Sequence, residues 1–123
     1  MLPEKMKQIL THEGVVAIVT QGKDEPHVVN TWNTYIQITG DERLLVPVGG
    51  MEDTEANLER NNKVQLTMGS REVKGLHGEG SGFLVVGTMT FLKEGREFDL
   101  VKDKHPWARA AGEIKINNVI ETL

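Results

Sequence analysis

Hydrophobic and polar residues alternate along most of the chain, a pattern that predicts β-strands. Residues 15–19 form a continuous run rich in β-branched side chains, which is typical of a buried strand. Further extended segments are predicted at 27–32, 35–38, 43–48, 64–68, 83–91 and 114–116. Short strands separated by turn residues favour a barrel or a sandwich over a parallel sheet with crossover helices.

Helices are predicted in three places. Residues 3–12 place apolar side chains at helical spacing, and a second helix starts at a cap provided by Asp53 or Thr54 and runs to about residue 61. A polar segment over 96–104 is the third. Residues 69–82 are rich in glycine and are predicted to form a loop. Pro47 cannot donate to a strand ladder, so the strand that contains it should end at a sheet edge or a bulge.

Composition narrows the class of protein. The 123 residues suit one domain, residues 1–123, and the net charge of −4 argues against binding to nucleic acid. Cysteine is absent, which excludes thiolate metal sites and a cysteine nucleophile, and the four histidines lie too far apart to predict a metal site. No apolar run approaches the roughly 20 residues that span a membrane, and no signal peptide is evident. We therefore expect a cytoplasmic protein that binds no membrane.

The segment 46–57 is the strongest candidate for chemistry. A strand loses its pairing at Pro47, two glycines follow at 49 and 50, and a helix begins. Free amide groups near a helix N-terminus can bind an anion, and glycines let a ligand approach the main chain. The same pattern also describes an ordinary connection between a strand and a helix with an Asp or Thr cap, and the segment alone favours that interpretation.

Residues 27–35 form a second candidate. An extended segment would place Asn30, Trp32 and Thr34 on one face and Thr31, Asn33 and Tyr35 on the other. Polar residues on both faces beside two aromatic rings suit a planar ligand, but a tryptophan packed at a sheet edge fits equally well.

Taken together, several segments resemble the FMN-binding split-barrel proteins of the pyridoxamine-phosphate-oxidase-like family. The matching segments keep the family's order and spacing over nearly the whole chain, and they are residues 13–18, 26–27, 29–33, 46–51, 54–57, 82–84, 107–111 and 122–123.

The resemblance implies a mainly β fold, a six-stranded antiparallel split barrel of Greek-key type with two or three short helices. It also implies a homodimer with one FMN at each interface site and an unidentified redox partner. The residues that it places around the flavin in one subunit are Asn30, Thr31, Trp32, Tyr35, Pro47, Val48, Gly49, Gly50, Thr54 and Asn57. The partner subunit would contribute its copies of Glu13, Trp107 and Leu123.

Three functions remain open at this point. The resemblance favours a redox flavoprotein in electron transfer or flavin reduction, in which the cofactor carries the chemistry. A pyridoxamine-phosphate-oxidase-like enzyme would need a second phosphate pocket rich in basic residues, and only Arg71 and Lys74 are candidates for one. A binding module without a flavin would be colourless.

Asp53 departs from the pattern of similar proteins, which have a lysine at this position. The repulsion between a carboxylate and a phosphate charge about 4 Å away is about 1 kcal/mol in water and about 4 kcal/mol at an effective dielectric of 20. A helix N-terminus stabilises an anion by only about 0.3–1 kcal/mol. Either Asp53 turns away as a helix cap, or a cation such as Arg71 compensates.

We predict that Asp53→Lys binds FMN more tightly, because the substitution replaces a repulsive charge with an attractive one. Fluorescence titration of the ligand-free protein with FMN measures the change. An unchanged or weaker affinity would show that Asp53 does not lie near the phosphate.

Overall fold

The computed structural model describes all 123 residues, which form three helices and seven strands. The helices are α1 (Glu4–Ile9), α2 (Glu52–Arg60) and α3 (Arg96–Lys104). The strands are β1 (Val15–Gln21), β2 (Pro26–Trp32), β3 (Gln37–Ile38), β4 (Leu44–Val48), β5 (Lys63–Lys74), β6 (Glu79–Leu92) and β7 (Ala110–Glu121). A single 3₁₀ turn, Asn33–Tyr35, follows β2.

The seven strands form one antiparallel sheet in the order β2-β1-β5-β6-β7-β4-β3. Val16 and Ile18 of β1 share one buried cluster with Leu44 and Val46 of β4, although three strands separate β1 from β4 in the sheet. The sheet must therefore curl around a common core. The predicted mainly β barrel with three short helices is confirmed, but six strands is wrong by one, because the two-residue strand β3 pairs with β4.

Helix α1 contributes to the core of this barrel. Its side chains Met6 and Ile9 are fully buried in the same cluster as the inner face of β5, where Val64, Leu66 and Met68 alternate with exposed residues. Such alternation is what a sheet with one covered face requires. None of the three helices has the length and apolarity needed to cross a membrane.

The predicted loop over 69–82 is wrong, because β5 continues to Lys74 and β6 begins at Glu79. Gly69 pairs with Gly82 in this extension. A Cβ atom on Gly69 would lie 3.1 Å from the carbonyl oxygen of Ser81. The glycine there permits two strands to approach closely, a role that composition does not distinguish from that of a loop.

Candidate functional site

The connection between β4 and α2 begins where the sheet loses a partner. β3 pairs only with Leu44 and Leu45, so the last three residues of β4 have a neighbour on one side alone, strand β7. Pro47 lies in this stretch, opposite Ala111 of β7. The sheet edge predicted from Pro47 is thus confirmed. The chain leaves the sheet at Gly49, and the end of β4 has no neighbouring strand on the side away from β7.

The amide groups of this connection have no acceptor within the chain. The first backbone hydrogen bond of α2 runs from Glu55 N–H to Met51 C=O, at 2.9 Å, and the N–H groups from Gly49 to Thr54 donate to no protein atom. Unpaired amides at a helix N-terminus carry partial positive charge and bind anions. Met51, the residue before α2, adopts the left-handed conformation with φ 60° and ψ 37°.

Thr54 lies in the first turn of α2 and is fully buried. Its Oγ1 has no hydrogen-bond partner, a property that only one other buried side-chain atom shares, Asn33 Oδ1. A buried polar atom without a partner costs about 1–3 kcal/mol. The hydroxyl belongs to the same helical turn as the unpaired amides.

The predicted cap of α2 is wrong. The residue before the helix is Met51, which has no side chain able to accept an amide hydrogen bond, and no side-chain cap is formed. Asp53 is the second residue of the helix and is exposed. Its carboxylate makes no hydrogen bond or ion pair. Asp53 is therefore not a helix cap, and capping does not explain how its charge is kept away from an anion at the helix N-terminus.

Arg109, the residue before β7, is the cation that contacts this connection. Its Nε donates to the carbonyl oxygens of Gly49 at 3.1 Å and Gly50 at 3.0 Å, and its Nη2 donates to Gly50 at 2.7 Å. Its Nη1 donates to Glu55 Oε1 at 3.0 Å. The guanidinium also lies over the ring of Phe91, with its carbon 5.7 Å from the ring centroid.

Glu55 is held between two cations. Its carboxylate accepts a hydrogen bond from Lys93 at 2.8 Å and one from Arg109 at 3.0 Å. These bonds, that of Lys93 first, hold the pKa of Glu55 below its usual range. Glu55 thus stays ionised at neutral pH and keeps Arg109 beside the connection, while the carboxylates of Glu52 and Asp53 face solvent without a partner.

Trp107 lies against the connection and forms a cluster with two further aromatic rings, Tyr35 and His105. The ring centroid of Tyr35 is 4.7 Å from that of His105 and 6.1 Å from that of Trp107. Trp107 covers Gly49 so closely that a Cβ there would lie 3.2 Å from the indole. Burial, followed by the charge of Lys104, lowers the pKa of His105, so its imidazole is neutral at neutral pH. Tyr35, Trp107 and Gly49 are thus neighbours within one chain, while a contribution of Trp107 to the partner subunit's site stays a prediction.

The candidates on β2 divide between the two faces of the sheet. Asn30 and Trp32 are exposed and Thr31 is buried, as the strand alternation predicts. Asn57 lies on the buried face of α2, where its Nδ2 donates to Thr20 Oγ1 at 3.1 Å and its Oδ1 accepts from Arg60 at 2.6 Å. Both polar atoms of Asn57 are used inside the chain, and a role in binding a phosphate stays a prediction.

Arg71 and Glu13 line a different groove, together with Ser70, Glu72 and Glu79. Glu13 also accepts a hydrogen bond from the Thr34 hydroxyl at 2.5 Å. Leu123 is exposed and lies against Gly82. The structure gives Arg71 three carboxylate neighbours and no hydrogen bond or ion pair with α2, so compensation of Asp53 by Arg71 has no support within one chain.

Sequence reasoning missed Arg109 and His105. Arg109 belongs to the segment 107–111 that carries part of the family resemblance, so a signal was present in the sequence. Its partners, Gly49 and Gly50, are about 60 residues away in the chain, and no local pattern predicts such a contact.

Comparison with known proteins gives a consistent result. The family profile described as pyridoxamine 5'-phosphate oxidase matches residues 2–121. The chain is 48% identical to an "FMN-binding protein" of Nitratidesulfovibrio vulgaris (strain DSM 19637 / Miyazaki F), over 123 residues and 100% of both chains.

Two solved structures share the fold. HupZ of Group A Streptococcus superposes with a TM-score of 0.80 at 18% identity, over 98% of this chain and 94% of that one. An FMN-binding protein from Syntrophomonas wolfei subsp. wolfei superposes with a TM-score of 0.72 at 17% identity, over 98% of this chain and 85% of that one.

We predict that Thr54→Val raises the free energy of unfolding of the ligand-free protein by about 1 kcal/mol, because it removes a buried hydroxyl that has no partner. Urea denaturation measures the change. Thr20→Val is the matched control: Thr20 is also buried, but its hydroxyl accepts the bond from Asn57, so this variant should lose stability. Equal losses in both variants would contradict the assignment of Thr54 as unpaired.

Proposed function

The chain belongs to the pyridoxamine 5'-phosphate oxidase family, and from this premise we propose that it is a flavoprotein that binds FMN without a covalent bond and serves in electron transfer or flavin reduction. The observation that carries the proposal is the buried, unpaired hydroxyl of Thr54 behind a row of unpaired amides. A phosphate is the group that both features suit, since its oxygens accept hydrogen bonds from amides and hydroxyls.

The residues present fit the phosphate of FMN. The amides from Gly49 to Thr54 would hold its oxygens, and Thr54 would gain the partner that it lacks. The exposed carboxylate of Asp53 would repel the negative charge of the phosphate. Asp53 in place of a lysine should therefore weaken FMN binding, while the amide donors remain.

The aromatic rings fit the flat part of the cofactor. Trp107 covers Gly49 and has Tyr35 as an aromatic neighbour, and Trp32 leaves 42% of its surface exposed at the end of β2. Exposed aromatic rings of this kind provide apolar surface for a planar ligand. FMN, when bound, would supply the capacity to accept and donate electrons, while these side chains would orient the ring and exclude water from it.

We also propose a homodimer, because one face of the sheet carries exposed apolar side chains. Val15 pairs with Trp32 and Val19 pairs with Val28, so all four lie on the same face of β1 and β2. Val15 is 52% and Val28 is 60% exposed. Large exposed apolar patches mark interaction surfaces, and a two-fold axis lets one patch cover its own copy. A dimer would bring the partner subunit's residues, among them Glu13, Trp107 and Leu123, toward the flavin.

A pyridoxamine-phosphate-oxidase-like enzyme has weaker support. Such an enzyme needs a second phosphate pocket, and the groove around Arg71 contains Glu13, Glu72 and Glu79. Lys74, the other basic candidate, lies opposite Glu79 in the strand ladder. Turnover of pyridoxamine phosphate by the purified protein would overturn this ranking.

We predict that the protein binds one FMN per chain and that Thr54→Val weakens this binding about tenfold or more, since a hydrogen bond to a charged group contributes about 1.5–3 kcal/mol. Quenching of flavin fluorescence measures the affinity. Thr11→Val, an exposed change at the end of α1, is the control and should bind FMN as the wild type does. A wild-type protein that binds no FMN would refute the proposed function.

For the dimer, we predict that Val28→Glu converts the wild-type dimer to a monomer, because the substitution places charges in the apolar patch on both copies. Sedimentation velocity measures the mass. Gln8→Glu adds the same charge on the exposed side of α1 and should remain a dimer. A wild-type monomer, or a Val28→Glu dimer, would show that this face is not the interface.

A further inference from the structure

Arg109 fixes the direction of two peptide groups in the connection between β4 and α2. Its guanidinium holds the carbonyl oxygens of Gly49 and Gly50 on one side of the main chain. The chain contains no cis peptide bond. In a trans peptide the carbonyl of one residue and the N–H of the next point in opposite directions. The N–H groups of Gly50 and Met51 therefore point away from Arg109.

These two N–H groups are among those that have no acceptor in the chain. Glycine at positions 49 and 50 leaves the connection free to rotate its peptides when nothing holds them. An outward carbonyl in place of an N–H would repel an anion, so the orientation of the peptides decides whether the connection can bind one. The structure contains one side chain that sets this orientation, Arg109.

Arg109 is itself held from three directions. Glu55 accepts a hydrogen bond from the Nη1 of Arg109, and Phe91 lies under the guanidinium. The backbone N–H of Arg109 donates to Val48 C=O at 2.8 Å. Lys93 shares the carboxylate of Glu55. The side chain thus forms a fixed bracket between β7, α2 and the end of β4, and it is not a mobile surface charge.

We propose that Arg109 is a positioning residue for phosphate recognition: it turns the amides of Gly50 and Met51 toward the anion and does not itself contact the ligand. This inference rests on the proposed binding of FMN at the same site. The inference predicts different effects on the two parts of the cofactor, because Arg109 orients only the groups that hold the phosphate and none that hold the ring. Riboflavin, which has the same ring and no phosphate, should be bound equally well with or without Arg109.

The test compares the affinities for FMN and riboflavin in the full-length protein, by fluorescence titration. We expect Arg109→Met to lose at least tenfold in FMN affinity and less than threefold in riboflavin affinity. Arg96→Met removes the same charge at the exposed start of α3 and should change neither affinity. Arg109→Lys keeps the charge but loses the planar fork whose separate nitrogens reach the two carbonyls and Glu55, so it should show a smaller loss of the same kind.

The outcomes distinguish this inference from the function on which it rests. A wild-type protein that binds neither flavin overturns both. A wild-type protein that binds FMN, with Arg109→Met losing FMN and riboflavin affinity by the same factor, overturns the inference alone and assigns Arg109 a general structural role. If Arg109→Met does not fold, Arg109→Lys decides: an unchanged ratio of the two affinities contradicts the inference.

Discussion

The row of N–H groups from Gly49 to Thr54 donates to no atom of the chain, so its hydrogen bonds are made to water or to a ligand. A strand that ends at Pro47 without a neighbour on one side, and a helix that starts without a side-chain cap, together produce it. The unpaired hydroxyl of Thr54 adds a buried group in the same first turn. Together these groups form a set of donors that a bound anion would satisfy.

The rest of the structure positions this row. Strand β7 pairs with the end of β4 and carries Arg109 onto the carbonyls of the two glycines, so the amides face the other way. Glu55, kept ionised by Lys93 and Arg109, connects the bracket to α2. Trp107, two residues before Arg109, covers Gly49. The short segment that leads into β7 thus supplies both the residue that holds the two carbonyls and an aromatic ring beside them.

Periodicity was sufficient for most of the fold, because a strand with one covered face alternates visibly, as β5 does at Val64, Leu66 and Met68. It failed at residues 69–82, where glycine permits close strand contact and does not mark a loop. The candidate segment 46–57 was predicted from local features, a proline, two glycines and a helix start. Arg109 was not, because its role depends on a contact between parts of the chain that only the folded sheet brings together.

Amide chemical shifts report most directly on whether the row between Gly49 and Thr54 binds a phosphate. In a ¹H–¹⁵N spectrum of the ligand-free protein, titration with FMN should move the signals of Gly49, Gly50 and Met51 strongly downfield, as new hydrogen bonds to an anion do. Riboflavin should move them much less while still shifting the indole signal of Trp32 or Trp107. Equal shifts of the three amides with FMN and riboflavin, or none with FMN, would contradict the account.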